Sequence, residues 1–159
     1  MAEALEVIQA GGVTLVERKD GDPAACVKLL RDKKLVNRVV VQSFDWEYLR
    51  GFHKLEPVQI LAAVGPPKLL ADGRKPPKDA RELTAARLDE LAQTGAQVVV
   101  WSHKKISPEI IKVLHQRKLK LWVYTVNDPA LANTLLDLGA DGIITDNTSL
   151  IWKTIALRK

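Results

Sequence analysis

The sequence predicts a parallel α/β domain of about six βα units, and three observations carry that reading. Six short apolar runs are mostly β-branched and nearly continuous rather than alternating, which is the pattern of strands buried on both faces in a parallel sheet covered by helices. The segments between them carry helical spacing of apolar residues. Capping residues follow directly after strands, three of them as Asp-Pro or Ser-Pro pairs at Asp22-Pro23, Ser107-Pro108 and Asp128-Pro129. Strand, short turn and helix, repeated with right-handed crossovers, make either a barrel or an open doubly wound sheet. A closed eight-fold barrel takes ~250 residues, or roughly 31 per unit. The 159 residues of this chain therefore hold five or six units in a single domain, 1–159.

The strands fall at residues 13–16, 39–41, 60–64, 98–101, 119–126 and 142–145. The first helix after a strand runs over 24–35, with Asp22 as N-cap and Pro23 in the first turn. Asp45 caps a helix from Trp46 to about Leu55. Thr84 caps one over 85–93, closed by Gly95 as a C-cap glycine. Ser107-Pro108 opens a helix with Ile110, Ile111, Val113 and Leu114. Asp128-Pro129 opens another, ending at Gly139, and Thr148 or Ser149 starts the last. Residues 65–79 break the rhythm with Pro66, Pro67, Pro76 and Pro77, a density that resists helix and reads as a long loop after the third strand. It is either a surface excursion or, through Lys68, Arg74, Lys75 and Lys78, a basic lid over the strand ends.

Composition removes several classes. With 47% hydrophobic and 27% charged residues, the chain has the make-up of an ordinary globular protein. No apolar run approaches the ~18–20 residues of a membrane helix, and Met1-Ala2-Glu3-Ala4 does not open a signal peptide. One cysteine, Cys26, makes no internal disulfide and reads as a small core residue. The chain itself is expected to be cytoplasmic. Its 24 basic and 19 acidic residues leave a net charge of +5, but the lysines are scattered and accompany no nucleic-acid motif. No nucleic-acid partner and no membrane span are expected. Neither a dinucleotide fingerprint nor a P-loop is present, and Ser43 lacks the glycine context of a nucleophile elbow.

The candidate chemistry lies at strand ends. Glu17 and Lys19 stand two apart, so in a strand they share one side. There they are either solvated charges at a fraying end, or a carboxylate for a hard cation beside a lysine for a phosphate. Trp122 and Tyr124 share one face of the fifth strand, as a pocket floor or as core packing. His103 lies just beyond a strand, where it can reach the mouth. His53 and His115 fall on helical patterns and read as surface residues, and Asn127 or Asp128 reads as a cap.

Four elements in order, Leu15-Val16-Glu17-Arg18-Lys19, Val40-Val41-Gln42-Ser43-Phe44-Asp45, Val123-Tyr124-Thr125-Val126-Asn127-Asp128 and Gly139-Ala140-Asp141-Gly142-Ile143-Ile144-Thr145-Asp146, resemble the glycerophosphodiester phosphodiesterase family. The resemblance implies a TIM barrel, here incomplete, with about six of eight parallel βα units. It implies hydrolysis of glycerophosphodiesters to glycerol 3-phosphate and an alcohol with a divalent metal, Mg²⁺ or Ca²⁺. Glu17 matches a metal ligand of the family and Lys19 the phosphate-contacting lysine. Tyr124 falls where many members have a substrate-lining tryptophan, with Trp122 and His103 as further substrate-binding candidates. The family's His-Arg-Gly, Glu-x-Asp and His-Asp elements, which supply its catalytic histidines and most metal ligands, do not occur in this sequence. The resemblance therefore implies a truncated form with background activity. The alternative is a non-catalytic phosphate-binding or interaction module that pairs with another chain. Open barrel edges imply self-association.

Overall fold

The computed structural model describes residues 1–9, 11–70, 72–77 and 81–158. After a first helix, α1 (Ala2–Gln9), the chain alternates β1 (Leu15–Glu17), α2 (Pro23–Asp32), β2 (Val40–Ser43), α3 (Trp46–Leu55), β3 (Ile60–Val64), α4 (Ala85–Ala92), β4 (Val98–Ser102), α5 (Pro108–Gln116), β5 (Lys120–Tyr124), α6 (Pro129–Asp137), β6 (Gly142–Ile143) and α7 (Thr148–Ala156). The six strands pair in chain order, every pair parallel. They curl into part of a TIM barrel, and the doubly wound alternative is set aside. No helix among the described residues is long and apolar enough to cross a membrane.

Local chemistry explains the boundaries. The side chains of Asp22, Asp45, Thr84, Ser107 and Asp128 each accept a backbone N–H in the first turn of α2, α3, α4, α5 and α6. This satisfies donors that a helix start leaves open. α7 does begin at Thr148, and its cap is Asn147. Gly95 and Gly139 take positive φ, +70° and +106°, where a side chain would be strained. A Cβ on Gly95 would also come within 2.3 Å of the His53 ring. His53 is thus not the surface residue its helical position predicts: it is half-buried against the turn before β4, and its Nδ1 has no partner among the described residues. β1 starts two residues later than the apolar run predicts, and Val13 is left exposed.

Period-two alternation sorts the strands into two layers. Val41, Leu61, Ala63, Val99, Trp101, Leu121 and Val123 pack against the helices in the main core. Val40, Ala62, Val64, Val98 and Val100 form a second, strand-only cluster on the concave face, joined by Trp122, Tyr124 and Ile144. The outer layer is tight. Trp101 is fully buried, its Nε1–H donates to the Arg81 carbonyl at 2.9 Å, and a Cβ on Gly65 would lie 1.6 Å from its ring.

At the amino ends of the strands, Asp141 joins three elements. Its carboxylate accepts from Lys120 Nζ at 2.7 Å, from the Leu121 N–H at 2.9 Å and lies 3.1 Å from His115 Nε2. Burial alone would raise this carboxyl, but those hydrogen bonds hold it below its ordinary value. Stability from this group is therefore fully present above the unfolded value of about 3.9 and is lost as pH falls through the lower native value. Denaturant titrations of wild type and Asp141→Asn across pH 2–5 check this. Wild type should lose stability more steeply with acid, and parallel curves would contradict the assignment.

Candidate functional site

The carboxyl ends of β1 and β2 bring Glu17 and Gln42 together. The two residues are directly paired in the β1–β2 ladder, so their side chains leave the sheet on the same, concave face. Gln42 Nε2 donates to Glu17 Oε2 at 3.0 Å, and Lys19 Nζ donates to the other carboxylate oxygen, Oε1. Of the two charges, Lys19 stands largely in solvent while Glu17 is half-buried.

Arg18, between them, points to the helix side. Its Nη1 donates to Asp45 Oδ2 at 2.8 Å, and its guanidinium lies 4.9 Å over the Tyr48 ring. Asp45 also caps α3 through the Tyr48 N–H at 3.1 Å. The strand end is thereby tied to the next helix. The backbone ladder also continues one residue past β1, from the Arg18 N–H to the Gln42 carbonyl at 2.9 Å. This clamp ties the backbone between Glu17 and Lys19 to β2 and α3, while the Lys19 side chain stands in solvent.

Gln42 was not singled out from sequence, although its motif was. It is buried to 7% exposure and its Oε1 has no hydrogen-bond partner among the described residues. A buried acceptor without a donor costs stability, so this carboxamide stands beside Glu17 at the expense of the fold. The only sequence signal for it was a polar residue inside an apolar run.

Across the sheet, Tyr124 ends β5 on the concave face, paired in register with Ser102 of β4. Its hydroxyl donates to the Gly65 carbonyl at 2.6 Å. Burial raises the phenol above its ordinary value, opposed by nearby Arg81, so it stays a neutral donor. Trp122 lies one layer deeper, where a Cβ on Gly142 would meet its Cδ1 at 2.5 Å. His103 lies in a single 3₁₀ turn, His103–Lys105, with Nδ1 3.2 Å from the Tyr124 carbonyl. The structure thus groups His103 with the Tyr124 backbone and sets Trp122 below them, apart from Glu17 and Lys19.

Asp128 caps α6, as its position predicts. Asn127 does something else: its Oδ1 accepts from Thr145 Oγ1 at 2.8 Å and from the Asp146 N–H at 2.9 Å, while its Nδ2 donates to Asp146 Oδ2 at 3.1 Å. This one side chain adds three hydrogen bonds to the backbone pairing that already joins the third and fourth sequence motifs.

Beside Tyr124 opens a pocket of about 400 Å³. Pro66, Pro76 and Pro77 of the long loop form its rim, and Arg81, Lys104 and Lys105 give it positive charge. The loop does border the mouth, but of the predicted lid cations Lys68, Arg74 and Lys75 do not line this pocket. Lys68 is exposed, Arg74 pairs with Asp72, and Lys78 and Asp79 lie outside the described residues. Among the described residues, no group of three or more His, Cys, Asp or Glu side chains stands where it could hold a metal.

Comparison with known proteins decides the family. Residues 16–150 match the model of the glycerophosphoryl diester phosphodiesterase family. The chain belongs to this family. A glycerophosphodiester phosphodiesterase of Bacillus subtilis is 31% identical over 130 residues, covering 79% of this chain and 39% of its own length. A probable glycerophosphodiester phosphodiesterase of Mycobacterium tuberculosis is 25% identical over 122 residues, 77% of this chain and 46% of its own. The chain thus spans less than half of either glycerophosphodiester phosphodiesterase. Among solved structures, a phosphodiesterase of Oleispira antarctica in complex with the product sn-glycerol-3-phosphate superposes with a TM-score of 0.79 at 20% identity. That superposition covers 98% of this chain and 60% of the other. Family members of this kind generally depend on a divalent metal.

Replacing Gln42 by methionine tests whether the carboxamide serves the fold. The expected result is a urea midpoint unchanged or raised, by up to about 1 kcal/mol, because an unpaired buried acceptor is removed. A loss of more than about 2 kcal/mol would show that the amide carries structural load.

Proposed function

We propose that the chain is the phosphate-binding part of a glycerophosphodiester phosphodiesterase barrel, which hydrolyses glycerophosphodiesters to glycerol 3-phosphate and an alcohol in lipid metabolism. The single observation that carries this reading is the Lys19–Glu17–Gln42 arrangement at the strand ends of a family member. Lys19 contacts the phosphate as a mobile point charge. Glu17 would be one ligand of a divalent metal, Mg²⁺ or Ca²⁺, which would supply Lewis-acid polarisation of the phosphoryl oxygens. Gln42 orients Glu17 from below. Tyr124 and Trp122 wall the substrate space, and His103 fixes the Tyr124 backbone.

The chain as given is expected to bind but not to turn over. Proton transfer to the leaving alcohol needs an acid–base group within hydrogen-bond reach. His103 stands across the mouth from Glu17, and one carboxylate does not hold a catalytic metal tightly. Assays on glycerophosphocholine with Mg²⁺ or Ca²⁺ should give background rates, while calorimetry should detect sn-glycerol 3-phosphate binding that weakens about tenfold in Lys19→Ala. Metal-dependent turnover abolished by Glu17→Ala would contradict the first expectation. Binding indifferent to Lys19 would contradict the second.

A second reading, a non-catalytic phosphate-binding module completed by another chain or a second copy, is favoured by the sheet edges. Val7, Ile8, Val13 and Leu15 are exposed at the β1 edge, and Leu150, Trp152 and Leu157 at the β6 end. Sedimentation at micromolar concentration should show self-association. A monomer throughout would count against that reading.

A further inference from the structure

The basic pocket beside Tyr124 is not accounted for by a phosphodiester held at Glu17 and Lys19. β1 and β5 are four strands apart in the ladder, and in an eight-fold barrel strands four apart stand on opposite walls. Ser102 and Tyr124, the last residues of β4 and β5, put two hydroxyls at the same carboxyl end as Glu17, facing it across the mouth. Behind them the pocket of about 400 Å³ is rimmed by Pro66, Pro76 and Pro77 and is lined by Arg81, Lys104 and Lys105. Lys105 is 3.6 Å from Glu82, a partner too distant and too exposed to neutralise the three cations. Arg81 is anchored from behind, because its carbonyl receives the Trp101 indole N–H. Three positive charges lining one concave, proline-walled space, with the Ser102 hydroxyl beside them, have the chemistry of a phosphate monoester site: a guanidinium fork, point charges and a neutral donor together, while the Tyr124 hydroxyl is engaged by the Gly65 carbonyl.

We propose that this pocket is a second anion subsite, taking a phosphate monoester carried on the alcohol portion of the diester. The proposal rests on the glycerophosphodiester reading and adds the substrate class: diesters whose alcohol is itself phosphorylated, rather than choline or unsubstituted polyols. The glycerol phosphate end lies at Lys19, and the alcohol extends past the Tyr124 ring to Arg81 and Lys104.

Calorimetry on the full chain separates the possibilities with three probes: sn-glycero-3-phosphoinositol, sn-glycero-3-phosphoinositol 4-phosphate and free inositol 4-phosphate. The phosphorylated diester should bind at least about tenfold tighter than the unphosphorylated one. Arg81→Gln/Lys104→Gln, both exposed and outside the Glu17 cluster, should erase that preference and leave the unphosphorylated diester unchanged. Equal affinities of the two diesters for the wild type would overturn the subsite and leave the glycerophosphodiester reading standing. Failure of both diesters, with inositol 4-phosphate still bound and lost in the double variant, would overturn the glycerophosphodiester reading and support the anion site. No binding of any probe would overturn both.

Discussion

The parallel ladder between successive strands is the constraint on which the rest depends. Register in a parallel pair puts partnered residues on the same face, so one β1–β2 pairing places Glu17 beside Gln42 and one β4–β5 pairing places Ser102 beside Tyr124. A slip of one residue would send Glu17 into the helix-side core and Val16 to the mouth. The alternation that builds the two apolar layers is therefore the same alternation that presents the polar ends. The outer layer supplies most of the packing, and the inner layer ends in chemistry.

The two ends of the strands do different work. At the amino ends, Asp141 gathers Lys120, Leu121 and His115, an arrangement that joins β5, β6 and α5 and serves stability. At the carboxyl ends, polar groups are left under-used: Gln42 Oε1 has no partner among the described residues, and Lys19 reaches into solvent from its contact with Glu17. Barrels place chemistry at the carboxyl end and stability at the other, and the Glu17–Gln42 pair and the Asp141 cluster stand at the corresponding ends of this sheet. The Arg18–Asp45–Tyr48 clamp connects the two concerns, since the same aspartate that caps α3 holds the strand end beneath Glu17 and Lys19.

Much of the architecture was legible in the sequence because its signals are local. An Asp-Pro pair after a β-branched run specifies strand end, cap and helix start within a few residues, and the caps at Asp22, Asp45, Thr84, Ser107 and Asp128 all stand where those signals predict. Glu17 stands at the end of β1, and Lys19, predicted to share its strand, lies two residues past it and reaches back to its carboxylate. What was not legible depends on contacts between distant segments. The role of Gln42 follows from its pairing with a residue 25 positions away, and that of Asn127 from a segment 19 positions on. The burial of His53 comes from the Gly95 turn. Arg81, Lys104 and Lys105 converge only because the proline-rich loop and the turn after β4 meet above Tyr124.

The central claim is that the carboxyl-end face of this partial barrel recognises a glycerol phosphate. Amide chemical-shift mapping of the chain during titration with sn-glycerol 3-phosphate tests it most directly. Saturable shifts concentrated at Glu17, Arg18, Lys19 and Gln42 are expected. Shifts confined to the Asp141–Lys120–His115 end, or no saturable shifts at all, would contradict it.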